Sequence, residues 1–235
     1  MIHAISESIP PVRLAFYSVF PEAELINVLD EGLLIDFKGH LTPQLRRRMS
    51  NVIGYCQDNK ADAIGLACSV YAPVVDSAKY LVDVPLISSY GPVMTEAVST
   101  GSRIGLIASV AATMTDSEYY LNLAGQEAGM VVKPVIRLAE DLIPVMRAEG
   151  QSGLERRLEQ EILAMSKDVD AVVLTQFSFA TALNHLEMVS PIPVLSAPHS
   201  SARALKNILS YSSPIVITTK AKMATTKILD INTTS

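Results

Sequence analysis

The chain has 235 residues, and 49% of them are hydrophobic. This is enough for one large α/β domain or for two lobes of about 100 residues, and we favour two lobes. A formal net charge of −5 and a pI near 5.4 exclude the basic surface that nucleic-acid binding needs. The first residues lack the pattern of a secretion signal, and no uninterrupted apolar run reaches the roughly 18 residues of a membrane span. With two cysteines and no disulfide framework, we expect a cytoplasmic protein with free thiols and without nucleic-acid or membrane partners.

Short apolar runs predict β-strands, and most are followed by a turn of small residues. In chain order the predicted strands are Val12–Phe16, Leu33–Phe37, Ala63–Ala67, Pro85–Ile87, Ile104–Ala108, Val131–Ile136, Ala171–Leu174 and Pro193–Leu195. The segments between them carry apolar residues three or four positions apart, which predicts amphipathic helices. Strands that alternate with helices are typical of parallel sheets.

The two halves of the sequence resemble each other at a shift of 108 residues. The shift aligns Asp62 with Asp170, Leu66 with Leu174, Cys68 with Gln176, Pro85 with Pro193 and Ser88 with Ser196. We interpret this as an internal duplication. The predicted fold class is α/β, with two pseudo-symmetric lobes that each contain a roughly four-stranded parallel sheet flanked by helices. The first lobe is expected to comprise residues 1–100 and about 207–235, and the second residues 101–206.

Ligands of parallel sheets bind at the carboxyl ends of the strands, where helix amino termini converge. Here the predicted strand ends carry hydroxyl groups and no fixed cations, a set that suits a small anion such as a carboxylate. Alternatively, each Ser or Thr is only an N-cap of the helix that follows. The candidate substrate-binding residues are Tyr17, Ser18, Ser69, Val70, Ser109, Thr113, Thr115, Phe177 and Ser178, and Ser88, Ser89, Tyr90 and Ser196 share such positions.

Cys68 follows the apolar run of "DAIGLACS". A thiol between a strand end and a helix amino terminus has a lowered pKa and can act as a base or nucleophile. The alternative is a core cysteine, the role that we expect for Cys56 in its helical segment. His199 is the one histidine that we place near a ligand. The scattered histidines predict no metal site, and the absence of a Gly-rich phosphate loop predicts no nucleotide cofactor.

The segments "LACS", "RIGLIASVAATM" and "DAVVLTQFS" resemble the aspartate, glutamate and hydantoin racemase superfamily over nearly the whole chain. The resemblance implies catalysis without cofactor or metal in a cleft between the lobes, and often a dimer. Two cysteines of such enzymes flank the α-carbon of a small acid. By this resemblance Cys68 is one acid or base, Ser69 and Val70 adjoin the substrate carboxylate, and the loop with Ser109, Thr113 and Thr115 binds substrate.

The chain departs from the superfamily at Gln176, which stands where the second cysteine is expected. A glutamine amide does not transfer protons as a thiolate does, which argues against a symmetric two-thiol racemase. Our first hypothesis is a racemase or isomerase acting on a small carboxylate, amino acid or hydantoin. In it Cys68 works with His199, Tyr17 or water, and Gln176 is an oriented hydrogen-bond donor. The second is a single-cysteine lyase resembling arylmalonate decarboxylase, and the third is a non-catalytic carboxylate-binding protein.

Overall fold

The computed structural model describes residues 1–212, except the side chains of Ala112, Tyr211 and Ser212. The predicted return of residues 213–235 to the first lobe lies outside this range. The first half contains strands β1 (Ile2–His3), β2 (Val28–Leu29), β3 (Ile64–Gly65) and β4 (Leu86–Ile87). Its helices are α1 (Ile9–Val19), α2 (Gly32–Ile35), α3 (Pro43–Asp58), α4 (Ala72–Ala78) and α5 (Gly91–Thr100), with short 3-10 turns at Ser6–Ser8 and Ser69–Tyr71.

The second half repeats this plan with longer strands. Its strands are β5 (Arg103–Ala108), β6 (Lys133–Leu138), β7 (Ala171–Leu174) and β8 (Val194–Ser196). Its helices are α6 (Ala111–Glu127), α7 (Leu142–Met165), α8 (Leu183–Val189) and α9 (Ala197–Ser212), with a 3-10 turn at Phe177–Ala182. Helix α7 bends at Gly150, whose φ of 68° lies in the left-handed region that favours glycine.

The same strand order occurs in both halves. The second sheet has the order β6-β5-β7-β8, with every pair parallel. In the first half β1 pairs with β2 and β3 pairs with β4, also in parallel, and a bridge between Ile2 and Leu66 joins the two pairs as β2-β1-β3-β4. The predicted α/β class with two similar parallel sheets flanked by helices is therefore confirmed.

Two predicted strands are wrong, because Val12–Phe16 lies in α1 and Leu33–Phe37 overlaps α2. Prolines 10 and 11 occupy the first turn of α1, where a missing backbone N–H costs no helical hydrogen bond. Val12, Ala15 and Phe16 are buried at helical spacing. Tyr17 and Ser18 are consequently helical residues on the exposed face of α1 and do not follow a strand. The actual strands β1 and β2 went unrecognised because each has only two residues.

A continuous apolar core joins the two halves. It combines buried residues of α1 and α5 with residues of β5, β7 and α9, including Val12, Phe16, Val93, Leu106, Val173 and Leu205. Helix α9 packs against both α1 and α5 of the first half. The sheets are thereby held in a fixed relation, which sets the positions of the loops at their carboxyl ends. Within residues 1–212, no helix combines the length and apolar character needed to cross a membrane.

Tyr71 ties the turn after Cys68 to helix α2. Its side chain is fully buried, and its hydroxyl donates to the Leu33 carbonyl at 2.7 Å. Tyr71→Phe is expected to lower the free energy of unfolding by about 1–2 kcal/mol, because the buried carbonyl loses its donor. Urea unfolding measures the change. Tyr17→Phe on the exposed face of α1 is the matched control, and equal effects of the two substitutions would contradict this role for Tyr71.

Candidate active site

Cys68 lies at the centre of the carboxyl edge of the first sheet. The Ala67 N–H donates to the Ile2 carbonyl at 2.8 Å, and the Leu66 N–H donates to the Ile87 carbonyl at 3.1 Å. Cys68 therefore stands between the loop that follows β1 and the loop that follows β4. Its backbone is extended, with φ −129° and ψ 117°, and the chain then enters the turn Ser69–Tyr71.

Cys68 is half-buried as a residue, and desolvation of its thiol raises the pKa of that group to about 11. The backbone N–H groups of Val70 and Tyr71 act in the opposite direction, as expected at the start of a turn, but their effect is smaller. The expectation of a lowered pKa is therefore wrong, since it took account of the helix start and not of burial. At neutral pH Cys68 is a protonated thiol, which is a proton donor in the resting site.

The raised pKa predicts a steep pH dependence of Cys68 alkylation. In a Cys56→Ala background, the rate with iodoacetamide should rise about tenfold per pH unit from pH 7 to 10, because only the thiolate reacts. Mass spectrometry of the labelled peptide measures the rate. A plateau below pH 8 would contradict the raised pKa.

Gln176 lies at the corresponding edge of the second sheet, two residues after the end of β7. Its Oε1 atom accepts hydrogen bonds from the Ser109 backbone N–H and from the Ser109 hydroxyl, both at 2.7 Å. Because a backbone N–H can only donate, the amide oxygen must face Ser109. The amide NH₂ group has no protein partner within residues 1–212, so it is free to donate to a ligand.

Cys68 and Gln176 occupy equivalent backbone positions. Gln176 is also extended, with φ −110° and ψ 136°, and it precedes the 3-10 turn Phe177–Ala182. The Tyr71 N–H donates to the Cys68 carbonyl at 3.3 Å, and the Phe179 N–H donates to the Gln176 carbonyl at 3.1 Å. The shift of 108 residues therefore relates the two turns in structure as well as in sequence.

Both turns lie where the two halves meet. The turn Ser69–Tyr71 packs against α6 of the second half. The turn Phe177–Ala182 packs against α1 and the turn Ser6–Ser8 of the first half. Cys68 and Gln176 thus open the segments through which each half contacts the other, a thiol on one side and an amide donor on the other.

His199 follows β8, the strand that pairs with β7. Its Nδ1 atom shares a hydrogen bond of 2.7 Å with the Ser196 hydroxyl, and 9% of the residue is exposed. Burial, and then the positive charge of Arg203, lower its pKa to about 4, although Glu96 acts in the opposite direction. His199 is therefore neutral at pH 7 and can accept a proton but not donate one as an imidazolium.

Of the other predicted substrate-binding residues, some lie near the carboxyl edges of the sheets and some do not. Ser69, Val70, Thr113 and Ser178 are half-buried near it, and Ser109 is nearly buried. Phe177 packs in the core that joins the halves. Thr115 is exposed on α6, and its hydroxyl donates to the Ala111 carbonyl of the same helix. Tyr17 is 81% exposed, and the Ser18 hydroxyl donates to the Ala15 carbonyl.

The loop after β1 is a part of the edge that the sequence analysis missed. His3 is fully buried, with Nδ1 2.6 Å from the Ser8 hydroxyl and Nε2 2.8 Å from the Asn27 Oδ1 atom. Desolvation lowers the pKa of His3 to about 4, so this histidine is neutral. It holds the turn Ser6–Ser8 against the first sheet. The segment "HAISES" carries polar side chains that indicate a loop, but a strand of two residues has no periodicity from which the position of this loop could be predicted.

A cavity of about 880 Å³ lies at the opposite, amino-terminal ends of β1 and β3. Met1, Phe16, Cys56, Ile64 and Leu205 contribute to its lining, and neither Cys68 nor Gln176 does. Within residues 1–212, no three His, Cys, Asp or Glu side chains lie together in a way that could hold a metal ion.

The chain has two similar lobes, each with a parallel sheet, and polar or ionisable side chains lie at the carboxyl edge of each sheet. This is the fold of the aspartate, glutamate and hydantoin racemases. No protein-family model matches the chain, and no curated protein sequence does. Among solved structures it is similar to allantoin racemase from Klebsiella pneumoniae, with a TM-score of 0.68 and 16% identity over 89% of this chain and 86% of that chain.

Two further racemase structures are similar over the same share of the chain. Aspartate racemase from Picrophilus torridus has a TM-score of 0.66 and 16% identity over 89% of this chain and 92% of its own. Glutamate racemase from Bacillus anthracis has a TM-score of 0.63 and 15% identity over 89% of this chain and 80% of its own. At these identities the similarity establishes the fold, which is the fold that the sequence resemblance implied.

Proposed function

We propose that this chain is a cofactor-independent isomerase that moves a proton at the α-carbon of a small carboxylate, amino acid or hydantoin. The observation that carries the proposal is the equivalence of Cys68 and Gln176. They open matching turns, at the matching strand ends of a racemase fold, where the two halves meet. The similarity to allantoin, aspartate and glutamate racemases supports the reaction class.

In this proposal Cys68 transfers a proton on one face of the substrate. A base on the opposite face takes the α-proton, which breaks the C–H bond and leaves an electron pair that spreads onto the neighbouring carboxylate or carbonyl oxygen; the protonated Cys68 thiol then donates its proton to the α-carbon. Preorganised donors stabilise that negative charge. The Gln176 amide NH₂ group and backbone N–H groups of the turns are such donors. Because Ser109 holds the Gln176 oxygen at 2.7 Å, the amide pays little entropy to reach its working orientation.

The opposite face needs a second proton carrier. Tyr17 does not suit this role because it is 81% exposed to solvent on α1. His199, whose pKa of about 4 keeps it neutral, or a water molecule is the remaining candidate. With an uneven pair of carriers, kcat and KM differ between the two directions, but kcat/KM stays equal because a racemisation has an equilibrium constant of one.

A lyase is the second candidate, and the protonated state of Cys68 favours it. Loss of CO₂ from a substituted malonate breaks a C–C bond and leaves an enediolate, which needs one proton on one face. A thiol with a pKa near 11 can deliver that proton and then regain one from water. This reaction needs no second carrier at Gln176.

Incubation in D₂O with a panel of amino acids, hydantoins including allantoin, and substituted malonates tests the proposal. Deuterium at the α-carbon with loss of optical activity supports an isomerase. Release of CO₂ with deuterium on one face identifies the lyase and overturns the isomerase. If nothing is turned over and Cys68→Ala binds a panel member as tightly as the parent, the chain is a binding protein.

A further inference from the structure

Tyr90 joins the loop that carries Cys68 to the helix that follows Ser109. It precedes α5 in the first half, and only 1% of it is exposed. Its hydroxyl lies 3.4 Å from the Thr113 carbonyl in the first turn of α6. The Ser69 and Ser117 hydroxyls also lie close enough to interact with this hydroxyl, and the Ser117 hydroxyl donates to the same Thr113 carbonyl at 2.6 Å. One buried oxygen atom therefore contacts the residue after Cys68 and two successive turns of α6.

Aromatic packing fixes the plane of the Tyr90 ring. The ring stacks on that of Tyr120 in α6, with centroids 5.2 Å apart and an interplanar angle of 24°. Tyr119 packs edge-on against Tyr120 at 5.2 Å. The hydroxyl is thus held at a set point between the halves, and a buried hydroxyl that loses its partners is costly.

The contacts form a path from one functional residue to the other. It runs from Cys68 through Ser69 to the Tyr90 hydroxyl, then into the start of α6. The loop just before α6 carries Ser109, which holds the Gln176 amide oxygen. A change in the Tyr90 contact would move the Cys68 turn relative to the Ser109–Gln176 pair.

We propose that Tyr90 is a positioning residue that sets the distance between Cys68 and the Ser109–Gln176 pair. It acts through Ser69 and α6 and does not touch the substrate. Desolvation raises the pKa of Tyr90 to about 12, so its hydroxyl stays protonated and donates to the Thr113 carbonyl. The catalytic importance of this distance rests on the proposed function. The distance between Cys68 and position 176 can be tested without a substrate.

The test uses Tyr90→Phe, which removes the hydroxyl and keeps the ring stacking. Tyr120→Phe is the matched control, because it preserves the same stack and leaves the Tyr90 hydroxyl in place. Both are placed in a Cys56→Ala, Gln176→Cys background. The rate at which a short bifunctional thiol reagent joins Cys68 to the cysteine introduced at position 176 reports the distance. Peptide mass spectrometry follows the cross-link at pH 9.

Tyr90→Phe is expected to slow cross-linking severalfold relative to single labelling of each thiol, whereas Tyr120→Phe leaves the ratio unchanged. In the Gln176 enzyme with an active substrate, Tyr90→Phe should lower kcat by about tenfold to a hundredfold with a smaller change in KM. If Tyr90→Phe lowers only the melting temperature and leaves the cross-linking ratio as in the control, the residue is a packing residue and the inference is wrong.

Ser117→Ala provides a second variant if Tyr90→Phe does not fold. It removes the contact on the α6 side from a small, fully buried residue. A smaller change in the same direction supports the path, and no change overturns it. If no substrate is found for the parent, the proposed function fails, while the cross-linking ratio still decides the role of Tyr90.

Discussion

Cys68→Ser is expected to lower the rate of α-proton exchange about a thousandfold or more. A serine hydroxyl has almost the shape of the thiol, but it ionises far less readily and transfers protons to or from carbon poorly. Deuterium incorporation from D₂O, followed by NMR on an active member of the panel, measures the rate. Because the side chain is so similar, the affinity for a non-reacting ligand should change little.

Cys56→Ala is the matched control for this prediction. Cys56 is the other free cysteine and is also half-buried, but it lies in α3 and lines the cavity at the opposite sheet edge. Its replacement should leave exchange unchanged. A Cys68→Ser variant that retains most of the parent rate would remove the thiol from the mechanism, and both enzymatic hypotheses would lose their acid.

Gln176→Glu is expected to lower kcat by about a hundredfold to a thousandfold at neutral pH. The carboxylate keeps an oxygen for the Ser109 N–H, so the hydrogen bond that orients the side chain survives. However, the NH₂ donor is lost, and a negative charge replaces it beside the position where negative charge develops. Steady-state kinetics with a substrate active in the parent measure the effect.

Ser109→Ala serves as the comparison for Gln176→Glu. It removes the hydroxyl donor to the Gln176 oxygen and leaves the backbone N–H donor in place, so a smaller loss is expected. An increase in exchange with Gln176→Glu would show that this position needs a proton carrier. Our assignment of Gln176 as a donor would then be wrong.

The sequence allowed the sheet edges that carry Cys68 and Gln176 to be predicted, because both follow a run of apolar residues that ends in a buried strand. The alignment of the two segments at a shift of 108 residues also holds for their strands, turns and helices. Such runs are informative because burial on both faces of a parallel sheet demands apolar residues without interruption.

Other parts of the fold and site depend on tertiary contacts that local pattern does not report. The run Val12–Phe16 has the composition of a strand, yet its burial follows helical spacing against α9 and the core. Strand β1 has two residues and depends on its neighbour β3. As a result, the sequence pattern places Tyr17 and Ser18 at a strand end and does not indicate the loop that contains His3 and Ser8.

The ionisation of Cys68 also escaped prediction from sequence. Its place before a turn indicated N–H groups that lower the pKa, and those of Val70 and Tyr71 do so. The larger opposite effect comes from desolvation by residues distant in sequence, which no local pattern contains. The same holds for His199, whose neutrality depends on burial and on Arg203.

The central claim is that Cys68 and Gln176 face each other across the site where the two halves meet. Cross-linking of Cys68 to a cysteine introduced by Gln176→Cys, in the Cys56→Ala background and without substrate, tests it most directly. We predict one dominant product in which a short bifunctional reagent joins the two peptides within a single chain. If each thiol is instead labelled singly, with no intramolecular cross-link at any reagent length that a shared site allows, the two residues do not form one site and the account is wrong.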